Sequence, residues 1–514
     1  MTSRLRIFAL PLLVAAVLSS ETGQAQMNAT GQSPEVTRPE LQAAAGQSAA
    51  FQFYNEIGWR AVWTDAAEAQ LRAALADRTR HGMDRLRFLS EQIGEAADRE
   101  IHLTRAALAY AESLAAGYVD PHDLHAIYTI SVPGPDLASG LASALKNGAL
   151  REWLEGLAPQ DEAYAALSDA YLRYREQGQK SANLHIGDGP LIREGESDPR
   201  VPRLAELLRH ADYLQPSSKE STGEQQAAKL PVDLYTPRLK RAVERLQADH
   251  GIAVDGIVGP DTIEILNMGP EDRAQAAAVA MERRRWLVRN PPPQRIDVNT
   301  ASTMLAYYRD GVVVDRRKTI AGQPGWETPP LQSDIYRLVA NPTWTVPRSI
   351  EEDELAGVGA AGLRERNMTR RGGWIVQKSG PRNALGLVKF DMDNDHAIYL
   401  HDTPAKSLFD RNLRNLSHGC VRVQDALGFA SMLVRHAGLE EEWQDARASG
   451  VETFLRLPEH IPVRLLYHPT FVAPSGAVRF TWDVYGWNDP VAERLGFGKS
   501  KRRQSPAGFR DLGP

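Results

Sequence analysis

Ala397-Ile398-Tyr399-Leu400-His401 alternates core-forming side chains with polar-tipped ones. In an extended strand successive side chains leave on opposite faces. Ile398 and Leu400 can therefore enter a core while Tyr399 and His401 face one cleft together. On either side, Gly311-Val312-Val313-Val314, Ile335-Tyr336-Arg337-Leu338-Val339 and Gly386-Leu387-Val388-Lys389-Phe390 read as further strands, with Gly and Pro at short intervals. That pattern predicts a mainly-β, sandwich-like domain from about 274 to 487. Nineteen positions after His401 comes Cys420, within Ser417-His418-Gly419-Cys420-Val421-Arg422-Val423, and it is the only cysteine in 514 residues. A lone thiol has no partner for an intramolecular disulfide. Beside histidines it is a candidate nucleophile, because the thiolate attacks and an imidazolium favours that form. The alternative is a small buried hydrophobe; the flanking glycine and the two histidines favour chemistry.

Arg4 and Arg6 precede an apolar run from Ile7 to Leu18, and small or polar residues follow up to Ala25. This is the form of an export signal at residues 1–25, cleaved after Ala25. The run is short for a membrane span, so an uncleaved anchor is the lesser alternative. The expected destination is a bacterial periplasm, where disulfides form readily and a single free thiol stands out. A net charge of −5 with both signs interspersed gives no reason to expect a nucleic-acid partner. The composition, 42% hydrophobic and 24% charged, is that of folded soluble chains.

Residues 40–182 are alanine-rich with helical spacing: Leu71, Ala74 and Leu75 form one stripe, and Ala163, Leu167, Ala170 and Tyr171 another. No spaced acid, base or ligand set appears there, so the segment reads as an α-helical scaffold. His81-Gly82 marks a helix end, with Gly82 left-handed. Residues 187–269 predict a small three-helix domain, with Thr236 as N-cap, Pro237 at the first helical position, and Leu239, Ala242, Val243 and Leu246 on one face. The polar stretch Ser217 to Ala228 lengthens its first connection. Residues 349–373 interrupt the β pattern with an acidic helix start after Ser349, five glycines and several arginines. An inserted capping lid is the expectation, and a long surface loop the alternative. Residues 488–514, including Lys499-Ser500-Lys501-Arg502-Arg503, read as a flexible basic tail.

The motif Ser417 to Arg422 with His401 upstream resembles the catalytic signature of the YkuD-type L,D-transpeptidases. Thr328-Pro329, Asn341-Pro342-Thr343-Trp344-Thr345-Val346-Pro347-Arg348-Ser349-Ile350, Asn383-Ala384-Leu385-Gly386-Leu387-Val388-Lys389-Phe390 and His401-Asp402-Thr403-Pro404 resemble the large, multidomain periplasmic YcbB-like group. Leu239 to Asn267 resembles a peptidoglycan-binding domain. The resemblance implies a multidomain α+β protein whose catalytic domain bears the lid. It implies Cys420 as nucleophile and His401 as general base and then acid, with the backbone carbonyl of Asp402 orienting the imidazole. Amides around Gly419 and Cys420, with the Tyr399 hydroxyl, are candidates for holding an oxyanion. Ser417 and His418 stand as supporting residues, His418 either tuning the thiolate or bracing the loop. Arg422, Asn383 and Trp344 are the candidate substrate contacts, a structural ion pair being the other reading of Arg422.

The implied reaction is acyl transfer between peptidoglycan stem peptides through a Cys420 thioester, giving a 3→3 cross-link, with donor and acceptor stems as partners. Sensitivity to carbapenems acting on the same cysteine is implied as well. No cofactor and no metal is called for. With water as acceptor the same site would be an L,D-carboxypeptidase, and with a protein lysine a wall-anchoring ligase. A zinc peptidase using His401, His418 and Cys420 is a distant alternative, since no HExxH or CxxC pair is present. A wall-binding protein without catalysis would leave the Cys–His arrangement unexplained.

Overall fold

The computed structural model describes residues 36–90, 96–180, 184–211, 213–214 and 231–500. The export signal, Ser217 to Ala228 and residues 501–514 lie outside the described residues. The organisation is multidomain α+β: a helical N-terminal unit, a three-helix unit and a β-rich unit.

Helices of the first unit include Asp65–Ala76, Ala96–Ala115 and Glu162–Lys180. Thr64 caps Asp65–Ala76 by accepting the Ala67 amide at 3.1 Å, and Gly82 (φ 68°) ends the short turn that follows. Leu71, Ala74 and Leu75 are buried, as their spacing predicts. Glu100 is an unforeseen buried carboxylate. It accepts from the amides of Val62 (3.1 Å) and Trp63 (3.0 Å) and from the Tyr54 hydroxyl (2.8 Å), so its lone pairs are satisfied where water is excluded.

In the three-helix unit, Val201–His210, Pro237–Asp249 and Pro260–Leu266 pack through Leu204, Leu208, Val243, Leu246 and Ile263. The Thr236 side chain accepts the Leu239 amide at 3.4 Å. Gln247 binds the turn after its helix, accepting from the amides of Asp255 and Gly256 and donating to the Ile257 carbonyl. Trp482 and Val484, far along the chain, complete this core.

Two segments pack where the sequence did not put them. The helix Pro270–Arg285, at the start of the stretch assigned to the catalytic domain, packs elsewhere, since Ala277, Ala278, Val279 and Met281 lie in the core of the helical unit. Glu282 and Arg285 pair inside it with no exposed surface, and Glu282 also accepts the Val119 amide at 2.7 Å. The chain read as a flexible tail from 488 forms the helix Asn488–Arg494, with Val491, Ala492, Leu495 and Phe497 buried in that same core. Their apolar face outweighs the polar composition around it.

The β-rich unit comprises β1 (Arg295–Asn299), β2 (Met304–Arg309), β3 (Val312–Gly322), β4 (Leu331–Ala340), β5 (Trp344–Thr345), β6 (Met368–Arg371), β7 (Trp374–Gln377), β8 (Val388–Met392), β9 (Leu400–His401), β10 (Asn415–Ser417), β11 (Val421–Val423) and β12 (Thr453–Leu466), followed by a small hairpin. The main sheet runs β10-β3-β11-β9-β8-β4-β12-β1-β2. The long β3 pairs with β2 over Val312 to Lys318 and with β11 at Thr319 and Ile320, so the sheet closes on itself. Its faces enclose Ile296, Leu338, Phe390, Leu400 and Val463, and the helix Ala426–Ala437 covers one side through Phe429 and Leu433.

The interruption in the β pattern is a folded piece. β5, β7 and β6 form a three-stranded sheet, and the helices Arg348–Glu354 and Ala360–Glu365 pack on it around Val346, Ile350, Leu363 and Ile375. Ser349 is not its N-cap. The N-cap is Pro347, two residues earlier, and the helix begins at Arg348.

Candidate active site

Cys420 sits in the tight connection between β10 and β11. Gly419 before it has φ +106°, a conformation that only glycine takes without strain, whereas a Cβ there would meet nothing closer than 3.6 Å. Backbone geometry and not space therefore calls for glycine. Both flanking carbonyls are tied down. Ser417 Oγ donates to the Cys420 carbonyl at 2.5 Å, and Thr328 Oγ1 donates to the Gly419 carbonyl at 2.8 Å. The Gly419 amide donates back to Ser417 Oγ at 3.3 Å, so in this state it is engaged and not open to an oxyanion.

β9 lies parallel to β11, with Leu400 opposite Val421 and His401 opposite Arg422. Ile398 and Leu400 are buried in the core, and Tyr399 and His401 line the same cavity as Cys420. Their rings meet edge to face at 5.6 Å. His401 Nδ1 lies 2.5 Å from the Asp402 carbonyl. As that oxygen can only accept, Nδ1 carries the proton and Nε2 is left as the basic nitrogen. The Asp402 carboxylate turns elsewhere, accepting the Leu387 amide at 3.0 Å and the Lys406 ammonium.

The thiol donates to the Ala397 carbonyl at 3.6 Å, and Ala397 takes the left-handed φ of 55°. Tyr399 and Trp344 line the cavity beside Cys420, burial and then Cys420 raise the Tyr399 hydroxyl well above its usual value, and Lys389 Nζ lies 4.2 Å from the Tyr399 ring centroid. Burial pushes the Cys420 thiol up, opposed by the Tyr399 donors, Lys389 and Arg422. Burial, and then the positive charge of Arg422, pushes His401 down to about 3. Both shifts favour the uncharged thiol and imidazole over the thiolate–imidazolium pair in this geometry.

His418 has a partner that the sequence could not supply. Its Nε2 lies 3.0 Å from Glu354 Oε1, at the end of the first helix of the inserted piece, and its ring meets Trp326 edge to face at 5.0 Å. Trp344, Ile350 and Leu385 close the cavity from that piece's side, leaving a volume of ≈ 60 Å³. Arg422 is buried and lines the cavity. Asn383 does not reach it. It is buried, with its amide donating to the Lys378 carbonyl (3.0 Å) and its oxygen accepting the Leu385 amide (2.8 Å), so it shapes the loop leading to β8. His401, His418 and Cys420 share the cavity, yet among the described residues no group of three or more His, Cys, Asp or Glu side chains is placed to hold a metal ion.

Sequence reasoning missed Tyr485. Its hydroxyl donates to the Gly322 carbonyl at 2.6 Å and accepts from Asn415 Nδ2 at 3.3 Å and the Thr328 amide at 3.4 Å. Thr328 in turn holds Gly419. Tyr485→Phe keeps the ring stacked on Tyr467 but leaves buried partners unpaired, a cost of about 1–3 kcal/mol. The expected result is a lower melting temperature and slower covalent modification of Cys420, read by mass against time. An unchanged rate would mean that the loop keeps its shape without this hydroxyl.

Residues 293–438 match the L,D-transpeptidase catalytic domain family (YkuD), residues 48–170 the scaffold domain family, and residues 197–266 the family described as "Putative peptidoglycan binding domain". The resemblance read from the motifs thus holds domain by domain. A Haemophilus influenzae protein named "Putative L,D-transpeptidase" is 32% identical over 224 residues; the match spans 38% of this chain and 45% of that protein. Among solved structures, an L,D-transpeptidase from Stackebrandtia nassauensis aligns over 56% of this chain and 99% of its own, at 14% identity and a TM-score of 0.24. One from Mycobacterium smegmatis aligns over 34% and 58%, at 14% identity and a TM-score of 0.19. At TM-scores this low the two alignments add no support.

Proposed function

We propose that the protein is an exported cysteine acyltransferase that forms 3→3 cross-links between peptidoglycan stem peptides. The observation that carries this reading is the shared cavity of Cys420 and His401, with the imidazole tautomer fixed by the Asp402 carbonyl so that Nε2 is the free base. The thiol turns from Ala397 to His401, passes its proton to Nε2, and attacks the carbonyl of the third stem residue. The peptide C–N bond breaks, and D-alanine leaves with the proton returned from His401. The side-chain amine of a second stem then displaces the sulfur and gives its proton to the same nitrogen. Tyr399, which lines the same cavity as the sulfur, supports the thiolate as it forms.

A cavity of ≈ 60 Å³ is far below the ~300–1,000 Å³ of sites that hold ligands. Substrate entry therefore requires the inserted piece to lift, which breaks the His418–Glu354 contact. Closure over the thioester would favour an amine already bound over water. Export to a periplasm and docking of the three-helix unit on the wall belong to the same proposal, supported by Arg4, Arg6 and the apolar run Ile7 to Leu18 and by the family match at 197–266.

The test is incubation of the mature protein with a disaccharide tetrapeptide and mass analysis of the products. Dimers that have lost one D-alanine per bond, linked between third residues, are expected. Monomeric tripeptide alone would replace this reading with a carboxypeptidase. Release of D-alanine only when a lysine-bearing protein is added would replace it with an anchoring ligase.

A further inference from the structure

A groove of ≈ 880 Å³ runs between the helical unit and the β1–β2 side of the sheet, and it shares no lining residue with the Cys420 cavity. Its volume is that of a ligand site. Five arginines line it, at 284, 289, 295, 316 and 464, against two aspartates, Asp161 and Asp297. Asp297 accepts from both Arg295 (3.0 Å) and Arg464 (2.7 Å), and Asp161 pairs with Arg284 at 2.6 Å. Each aspartate is thus already committed. Arg289 donates to backbone carbonyls, Leu287 among them at 2.7 Å. Arg316 is exposed on β3 and has no ion-pair partner among the described residues, whereas Arg284 Nε is buried. The groove therefore keeps a surplus of positive charge in a chain whose net charge is −5. Tyr308, with the Arg295 guanidinium 3.6 Å from its ring centroid, adds a flat amphipathic wall.

An exposed guanidinium beside an aromatic wall, in a groove with surplus positive charge, suits a carboxylate-bearing, amide-rich ligand. We infer that this groove binds an acidic peptide, the stem of a second peptidoglycan strand that is not in the reacting cavity. The choice of a wall peptide rests on the acyltransferase reading; the affinity for a carboxylate-bearing peptide rests on the groove. Such a contact would hold the enzyme on the polymer while the Cys420 cavity opens and closes.

The test uses the full mature chain carrying Cys420→Ala, so that nothing turns over. A disaccharide tetrapeptide bearing a photoreactive diazirine is cross-linked to it and the labelled peptides are mapped. Label is expected on segments 295–316 and 464–472, falling at least tenfold with Arg316→Glu. It should fall likewise when the probe's carboxylates are amidated. Arg435→Glu, a reversal at an arginine outside the groove's lining, should leave it unchanged. Label confined to 187–269 or to the Cys420 cavity, or groove label indifferent to Arg316→Glu and to amidation, would overturn the inference. If wild-type protein fails to make cross-links but the groove still labels, the acyltransferase reading falls and the acidic-peptide site stands.

Discussion

Replacing Cys420 by alanine is expected to abolish every covalent adduct that a carbapenem leaves on the mature protein. Intact-mass spectrometry of wild type should show one adduct per chain, and the variant none. The chain has no other thiol to acylate, so a residual adduct on the variant would place the nucleophile elsewhere and remove the basis of the proposed mechanism. The same experiment run against pH tests the charge state of the site. With His401 down at about 3 and the thiol raised, the neutral pair persists across the middle of the pH scale. The acylation rate should be nearly flat from about pH 5 to 8, since neither group changes its proton there. A resting thiolate–imidazolium pair would instead lose activity as the thiolate is protonated on acidification. A clear inflection between pH 6 and 7 would mean that His401 titrates near its free value and that the cavity is wetter in solution than in this structure.

Acid should destabilise the whole protein, and by a large amount. His81, His401 and His468 are pushed down to about 3 and His125 to about 4, each chiefly by burial and then by nearby arginines. An unfolded chain returns them to about 6.5. Above that value both states are neutral and these groups do not favour either. As pH falls below it, the unfolded chain takes up protons that the folded chain refuses, so stability is lost progressively between about 6.5 and 3–4. At pH 5 each group costs about 2 kcal/mol, since one pKa unit is worth about 1.4 kcal/mol. Four of them approach the ~5–15 kcal/mol that holds a typical protein folded. Glu100 and Asp483, both raised by burial, work the other way and relieve part of the loss. The melting temperature, scanned from pH 7.5 to 4.5, should drop steeply below pH 6. His468→Gln and His125→Gln should flatten the slope if they keep the fold. A melting temperature constant to pH 4.5 would mean that these imidazoles reach water.

The sequence by itself determined whatever depends on neighbours along the chain. Alternation from Ile398 to His401 anticipated which side chains face the core, although only Leu400–His401 is strand and Ala397 before it is left-handed. Thr236 marked a helix start, since a hydroxyl there satisfies an amide that the helix leaves free. The glycine before the single cysteine marked a backbone conformation that other residues resist. Tertiary structure decided everything set by burial and by distant partners. Asn383 turned inward because two loop carbonyls and an amide needed it. His418 found Glu354 across the fold of the inserted piece. Pro270–Arg285 and Asn488–Arg494 joined the helical core because their apolar faces fit there, although their composition is largely polar. The shifts of Cys420 and His401 also came from packing, since burial among distant residues disfavours the charged form of each.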